Sequence, residues 1–227
     1  MCIRDRGLRD GHTDVAVICT AVHPLIGPTA GPPQENGGIG VGIWWATSAD
    51  APGVVHRLGN QTYVDVDGVV LTPGDGLSPD LVTFQLSYFL VAQGVTVTES
   101  YVLNATDASI TVTASAALRD SGNGTRMTRF GVGLPAFLFD GVSNSSVTVP
   151  APTSQGGTAT VTGAGWGALA FTLPPPPGGH SYAWRYDNGT QVVTRNGYAS
   201  PIDVEVSPVG TDAPSLTYTV SGSGQGV

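Results

Sequence analysis

Lysine is absent from the 227-residue chain, and glutamate occurs only at Glu35, Glu99 and Glu205. Helices are ordinarily built on Ala, Leu, Glu, Lys and Gln, so this shortage argues against a helical fold. All nine basic residues are arginines, scattered along the chain and outnumbered by 17 acidic ones. No basic stripe exists to neutralise phosphates, which argues against a nucleic-acid partner and against anionic membrane surfaces. The longest strongly apolar run, Val15 to Val22, has eight residues, too few to cross a bilayer, so no membrane insertion is expected. Two cysteines, Cys2 and Cys19, are too few for a disulfide framework or a metal site. Cys19 reads as a small buried residue within its apolar run. No phosphate loop, nucleophile elbow or His pair at zinc spacing is present, so neither metal nor cofactor is expected.

What is abundant points one way. The chain holds 28 Val, 25 Thr, 32 Gly and 17 Pro at mean hydropathy +0.11. Val and Thr suit a pleated surface, and the apolar content is enough for a core. The most informative segments are Leu81–Val91, Val95–Leu103 and Ala108–Leu118, joined by very short turns. In the first, Phe84, Leu86, Tyr88 and Leu90 share a face. Val95, Val97, Tyr101 and Leu103 do so in the second, with Glu99 among them. Ile110, Val112, Ala114, Ala116 and Leu118 do so in the third. Strict period 2 over such lengths has no good helical alternative. About fifteen strands are read in all, among them Ile39–Thr47, Thr62–Val66, Arg126–Val132, Ser181–Tyr186, Gln191–Thr194 and Leu216–Val220. The expected fold is all-β, a large antiparallel β-sandwich with no substantial helix. A long meander occupies the middle, where two smaller domains would need a linker. Residues 7–220 are therefore read as one domain.

Five of the seven asparagines, Asn60, Asn104, Asn123, Asn144 and Asn188, stand in N-x-[ST] sequons; composition alone would give roughly one or two. Glycosylation at these positions in a eukaryotic secreted or cell-surface protein is one reading. Asparagine in the turns of a Thr-rich β protein is the other. No secretory signal is read in this fragment. Residues 1–6, Met-Cys-Ile-Arg-Asp-Arg, resemble a translated sequencing-adapter scar, and residues 221–227 read as a Gly/Ser linker or a truncated end.

The run Val95-Thr-Val-Thr-Glu-Ser-Tyr-Val-Leu103, then Ile110-Thr-Val-Thr-Ala114, then Arg129-Phe130 and Pro135-Ala-Phe-Leu-Phe-Asp-Gly141 resembles the galactose-mutarotase-like β-supersandwich. Such domains are found in heparinase II/III-type polysaccharide lyases and in several glycoside hydrolases. The segment from His56 to Asn60, followed by Asp67-Gly68, is similar to a heparinase segment in which His and Asn precede a strand and an Asp-Gly turn. It differs in that His56 and Asn60 are not adjacent. The likeness covers roughly residues 39–141 and implies a polysaccharide partner. The helical toroid that supplies much of that family's catalytic apparatus is not read in this chain.

His180, Tyr182, Trp184 and Tyr186 alternate along one strand and so share a face. Flat rings stack on sugars, and the neighbouring Arg185 or Asp187 could hydrogen-bond hydroxyls; the other reading is that the stripe is core, where aromatics dominate buried area. Trp44 and Trp45 point to opposite sides of their strand, one into the core and the other outward as a sugar-stacking ring. Glu99 on an apolar face is either a general acid or base or a carboxylate paired with Arg126 or Arg129. His56 with Arg57 could meet a uronate. Asp65 to Gly68 starts like a calcium loop but places Val and Gly where oxygen ligands are required. Gly163 to Ala168 has the spacing of a dinucleotide fingerprint but leads into a strand rather than a helix.

Three functions are consistent with these residues. The first is an accessory polysaccharide-binding module of a secreted carbohydrate-active protein. The second is a structural or adhesive cell-surface domain, which requires the aromatic stripe to be buried. The third is an enzyme, such as an epimerase, using Glu99 and a His as an acid–base pair.

Overall fold

The computed structural model describes residues 2–3, 16–19, 25–26, 42–58, 68–74, 81–104, 106, 109–120, 123–133, 147–151, 153–163, 167–186, 202–207, 209 and 213–223. In chain order the strands are β1 (Cys2–Ile3), β2 (Ala16–Cys19), β3 (Leu25–Ile26), β4 (Gly42–Thr47), β5 (His56–Leu58) and β6 (Gly68–Pro73). The meander follows as β7 (Leu81–Leu90), β8 (Val95–Asn104) and β9 (Ser109–Leu118), leading to β10 (Met127–Gly133). After these come β11 (Val147–Thr148), β12 (Thr153–Ser154), β13 (Gly157–Gly163), β14 (Gly167–Leu173), β15 (Ser181–Tyr186), β16 (Ile202–Ser207) and β17 (Ser215–Ser223). There is no helix among the described residues, and so none long and apolar enough to cross a membrane.

Apart from the short antiparallel set β1-β2-β3, the strands form two antiparallel sheets. A six-stranded sheet runs β12-β15-β16-β10-β4-β5, and an eight-stranded sheet runs β11-β13-β14-β17-β9-β8-β7-β6. One buried cluster draws on both, with Trp45, Phe130, Trp184 and Val204 from the first and Tyr88, Val112, Phe171 and Tyr218 from the second. Two sheets sharing one core give the molecule its β-sandwich character.

The meander shows how sequence pattern becomes register. Burial alternates residue by residue through β8, as period 2 demands. The turn between β7 and β8 closes with Gly94 at φ 62°, its amide donating to the Val91 carbonyl at 3.1 Å. Positive φ is open to glycine without a Cβ clash. The turn sets Leu90 opposite Val95 and Tyr88 opposite Val97, so both apolar faces turn the same way. A one-residue slip would put every one of them in water.

The expected strands Thr62–Val66 and Gln191–Thr194 lie outside the described residues. At the other end, β17 continues to Ser223, which pairs with Ala168 of β14. Ser221 to Ser223, read above as the start of a linker, are therefore sheet residues. Alternating Ser and Thr side chains carried β17 past the point where its apolar pattern stopped.

Candidate functional site

The aromatic stripe of β15 is core. Tyr182 and Trp184 are 3% and 2% exposed, and both belong to the shared cluster; Tyr186 packs against it partly buried. No ring face at Tyr182 or Trp184 remains for a sugar. His180 is half-buried at the foot of the strand, with its amide on the Pro177 carbonyl at 3.1 Å. Arg185 faces the other way, its side chain 61% exposed.

That opposite side, the outer face of the six-stranded sheet, gathers most of the polar chemistry. Gly131 of β10 stands between Trp44 of β4 and Glu205 of β16 in one cross-strand row. Arg129, two residues before Gly131, donates to Glu205 through both Nε (2.7 Å) and Nη2 (2.8 Å). Arg185 donates Nη2 to the same carboxylate from the opposite flank at 2.8 Å. The bidentate bond with Glu205 raises the Arg129 guanidinium above its ordinary value against the opposing effect of burial, with Asp203 adding to the rise. One carboxylate thus orients two guanidinium groups. The Arg185 bond uses one of the N–H donors of a side chain that is largely exposed.

Trp44 completes this face, but not as an exposed platform. It is 4% exposed and stands outside the core cluster, with the Arg129 guanidinium 4.9 Å from its ring centre. Glycine at 131 makes this possible, since a Cβ there would run into the indole edge and the Val204 carbonyl oxygen. The expected outward ring is therefore present but covered. Its Nε1–H has no hydrogen-bond partner among the described residues, a costly state for a buried donor. Trp45, on the inner side, is fully buried.

Glu99 lies inside the sandwich rather than at a rim. It is 1% exposed within β8 and accepts a hydrogen bond from the Tyr88 hydroxyl at 3.2 Å. Tyr101 and Tyr218 lie close enough to interact: burial first, then the charges of Glu99, Tyr218 and Tyr88, push the Tyr101 phenol well above its usual range. Arg129, one of the two partners expected for Glu99, is taken by Glu205. The sequence pattern could not reveal this, because Glu205 is 76 residues away.

His56 lies on β5 opposite Trp45 and stacks on it with ring centres 5.8 Å apart. Its Nε2 is 2.7 Å from Asp50 Oδ1. The second Asp50 oxygen accepts from the Thr47 amide (2.7 Å) and hydroxyl (2.8 Å). Burial alone would raise the Asp50 carboxyl, but the Thr47 amide, His56 and the Thr47 hydroxyl outweigh it and hold the group below its ordinary value. Glu99 and His56 sit on different sheets, each with its own partner. Asp50 was missed in the sequence; its signal was the turn after a Trp-Trp strand, where Asp often accepts backbone bonds.

Of the sequons, Asn104 and Asn123 are described. Asn104 ends β8 and its Oδ1 accepts the Thr106 amide at 3.0 Å; Asn123 is exposed in the β9–β10 connection and accepts the Thr125 amide at 2.9 Å. Both are Asx turns. Asn60, Asn144 and Asn188 lie outside the described residues.

The sequence matches no family profile and no curated protein.

Proposed function

We propose that this chain is a non-catalytic, polysaccharide-binding β-sandwich module of a secreted or cell-surface carbohydrate-active protein. Its architecture is of the galactose-mutarotase-like supersandwich kind, as in polysaccharide lyases and glycoside hydrolases. The observation that carries the reading is the outer face of the six-stranded sheet. There Glu205 holds Arg129 and Arg185 in fixed orientation beside an indole N–H that has no partner among the described residues. Oriented guanidinium groups recognise the carboxylates of acidic sugars bidentately and the hydroxyls of neutral ones singly.

The test is binding of the secreted protein to a panel of neutral and uronate-containing polysaccharides, with depolymerisation measured in parallel. Arg185→Ala is the decisive variant, because its exposed side chain can be removed without disturbing the core. Binding that falls at least tenfold in a folded Arg185→Ala, with no cleavage, supports the reading. Unchanged binding in that variant refutes this face as the site. Cleavage abolished by His56→Ala would replace the reading with an enzymatic one.

A second reading is a structural or adhesive surface domain with no sugar site. The burial of Tyr182 and Trp184 favours it, and a folded protein silent across the panel would establish it.

A further inference from the structure

The eight strands of the larger sheet contain a single charged residue, Glu99, and it points into the core. The chain as a whole has 26 charged residues, and a soluble surface is ordinarily about a quarter to a third charged. Most outward positions carry hydroxyls instead, interspersed with the apolar Val70, Leu81, Phe89 and Val102. One cross-strand row reads Thr83, Val102, Thr111, Thr219, Thr172 and Thr158. The next reads Thr72, Gln85, Ser100, Thr113 and Thr217.

These side chains are tied together across the strands. Thr111 bonds Thr219 and Thr113 bonds Thr217, both at 2.9 Å; Gln85 Nε2 donates to Ser100 Oγ at 3.0 Å, and Thr158 bonds Thr172 at 3.0 Å. A hydroxyl pair uses one of its two O–H donors internally, leaving one donor and several lone pairs directed outward. Cross-strand pairing sets their spacing at about 4.8 Å across strands and roughly 7 Å along them. Both described sequons fall off this face or at its rim. Asn104 ends β8, and Asn123 lies in a connection beyond the opposite end of the sheet.

We infer that the outer face of the eight-stranded sheet is a docking surface for an uncharged, polyhydroxylated polymer, a neutral polysaccharide presented as an extended surface. The absence of charge is the complement of a ligand that has none. An anionic or cationic ligand would find no partner within the face; Arg119, lying 5.9 Å over Phe89 beyond the end of β9, is at the rim. A protein partner fits poorly, because interface hot spots use Trp, Tyr and Arg, whereas Ser and Thr are under-represented. Hydroxyls at regular intervals exchange hydrogen bonds with a sugar polymer in many equivalent registers. This gives weak individual contacts that add along the chain. The inference concerns a different surface from the one that carries the proposed function, so either can fail without the other.

The experiment measures depletion of the full chain from solution by microcrystalline cellulose, chitin and an insoluble β-1,3-glucan, with an alginate gel and growing ice as further arms. The triple variant Thr111→Val, Thr113→Val and Thr219→Val keeps side-chain shape and strand preference while removing the hydroxyls. The expected result is retention on at least one neutral polymer, weakened at least tenfold in the triple variant. Three results would overturn the inference: full retention of the triple variant, no retention of the wild-type chain on any neutral polymer, or retention by alginate or ice alone. Loss in Arg185→Ala with full retention of the triple variant would return all binding to the six-stranded face. If the triple variant fails to fold, Thr172→Lys on the exposed flank of the same row is held to the same tenfold criterion.

Discussion

The two sheets cover one core yet present opposite chemistries to the outside. On the six-stranded sheet, Arg129, Arg185, Asp203 and Glu205 interact across three strands, and Trp44 is folded under one of them. On the eight-stranded sheet the described outward positions bear no charge, and hydroxyl pairs do the cross-strand bonding. Inside, the contrast is reversed. The six-stranded sheet contributes an apolar inner face, whereas the eight-stranded sheet buries Glu99 among three tyrosines. The lesson is that a β-sandwich with one continuous core can divide charged and uncharged side chains between its two outer surfaces, because period 2 separates inner and outer positions on every strand.

The difference between inner and outer positions is largest on β15, where one strand carries both kinds of residue. Trp184→Ala is expected to lower unfolding free energy by about 3–5 kcal/mol. Its neighbour Arg185→Ala should stay within about 1 kcal/mol, since exposed ion pairs contribute little. Urea denaturation of the two variants side by side checks this, and equal losses would contradict the placement of the stripe in the core.

Gly131→Ala comes next. The added methyl must displace the Trp44 ring or the β10–β16 backbone, with an expected cost of about 1–3 kcal/mol. The same measurement, with near-ultraviolet circular dichroism as a reporter on Trp44, decides it.

The buried tyrosine sharpens the contrast between inner faces. Because the Tyr101 phenol is raised in the folded state, its contribution is fully present below the unfolded tyrosine pKa of about 10. It is lost as pH rises from there through the folded value, by up to about 1.4 kcal/mol per pH unit. Stability measured between pH 9 and 11 should therefore fall, and Tyr101→Phe should flatten the fall; an unchanged slope would exclude Tyr101 as its cause.

The smallest effect is expected for Glu205→Gln, at about 1 kcal/mol or less after screening. It should carry a distinguishing mark. Added salt should narrow the gap between wild type and Glu205→Gln, because the pair it weakens is partly exposed. Thr113→Val should show no such salt dependence.

Much of the fold was legible from residue types. The missing Lys and scarce Glu, the Val and Thr, and the period-2 runs of the meander pointed to strands, and the structure places β7, β8 and β9 within a residue or two of the segments read. Less of the candidate site was legible. Trp44 and Arg185 were singled out separately, but nothing near either residue announces Glu205 or Arg129 as its partner. The stripe of Tyr182 and Trp184 was open to both a platform and a core reading, because alternation shows that residues share a face without showing which face turns inward.

By itself, then, the sequence determined that this chain forms antiparallel strands with one apolar and one polar side. Local alternation and short turns encode those properties within a few residues. Only the tertiary structure decided which sides meet. The order β16-β10-β4 sets Glu205 beside Arg129 and lays Trp44 across Gly131. The order β17-β9-β8 joins threonines more than a hundred residues apart into one uncharged row. Strand order comes from burying two apolar faces against each other, which no local stretch of sequence can express.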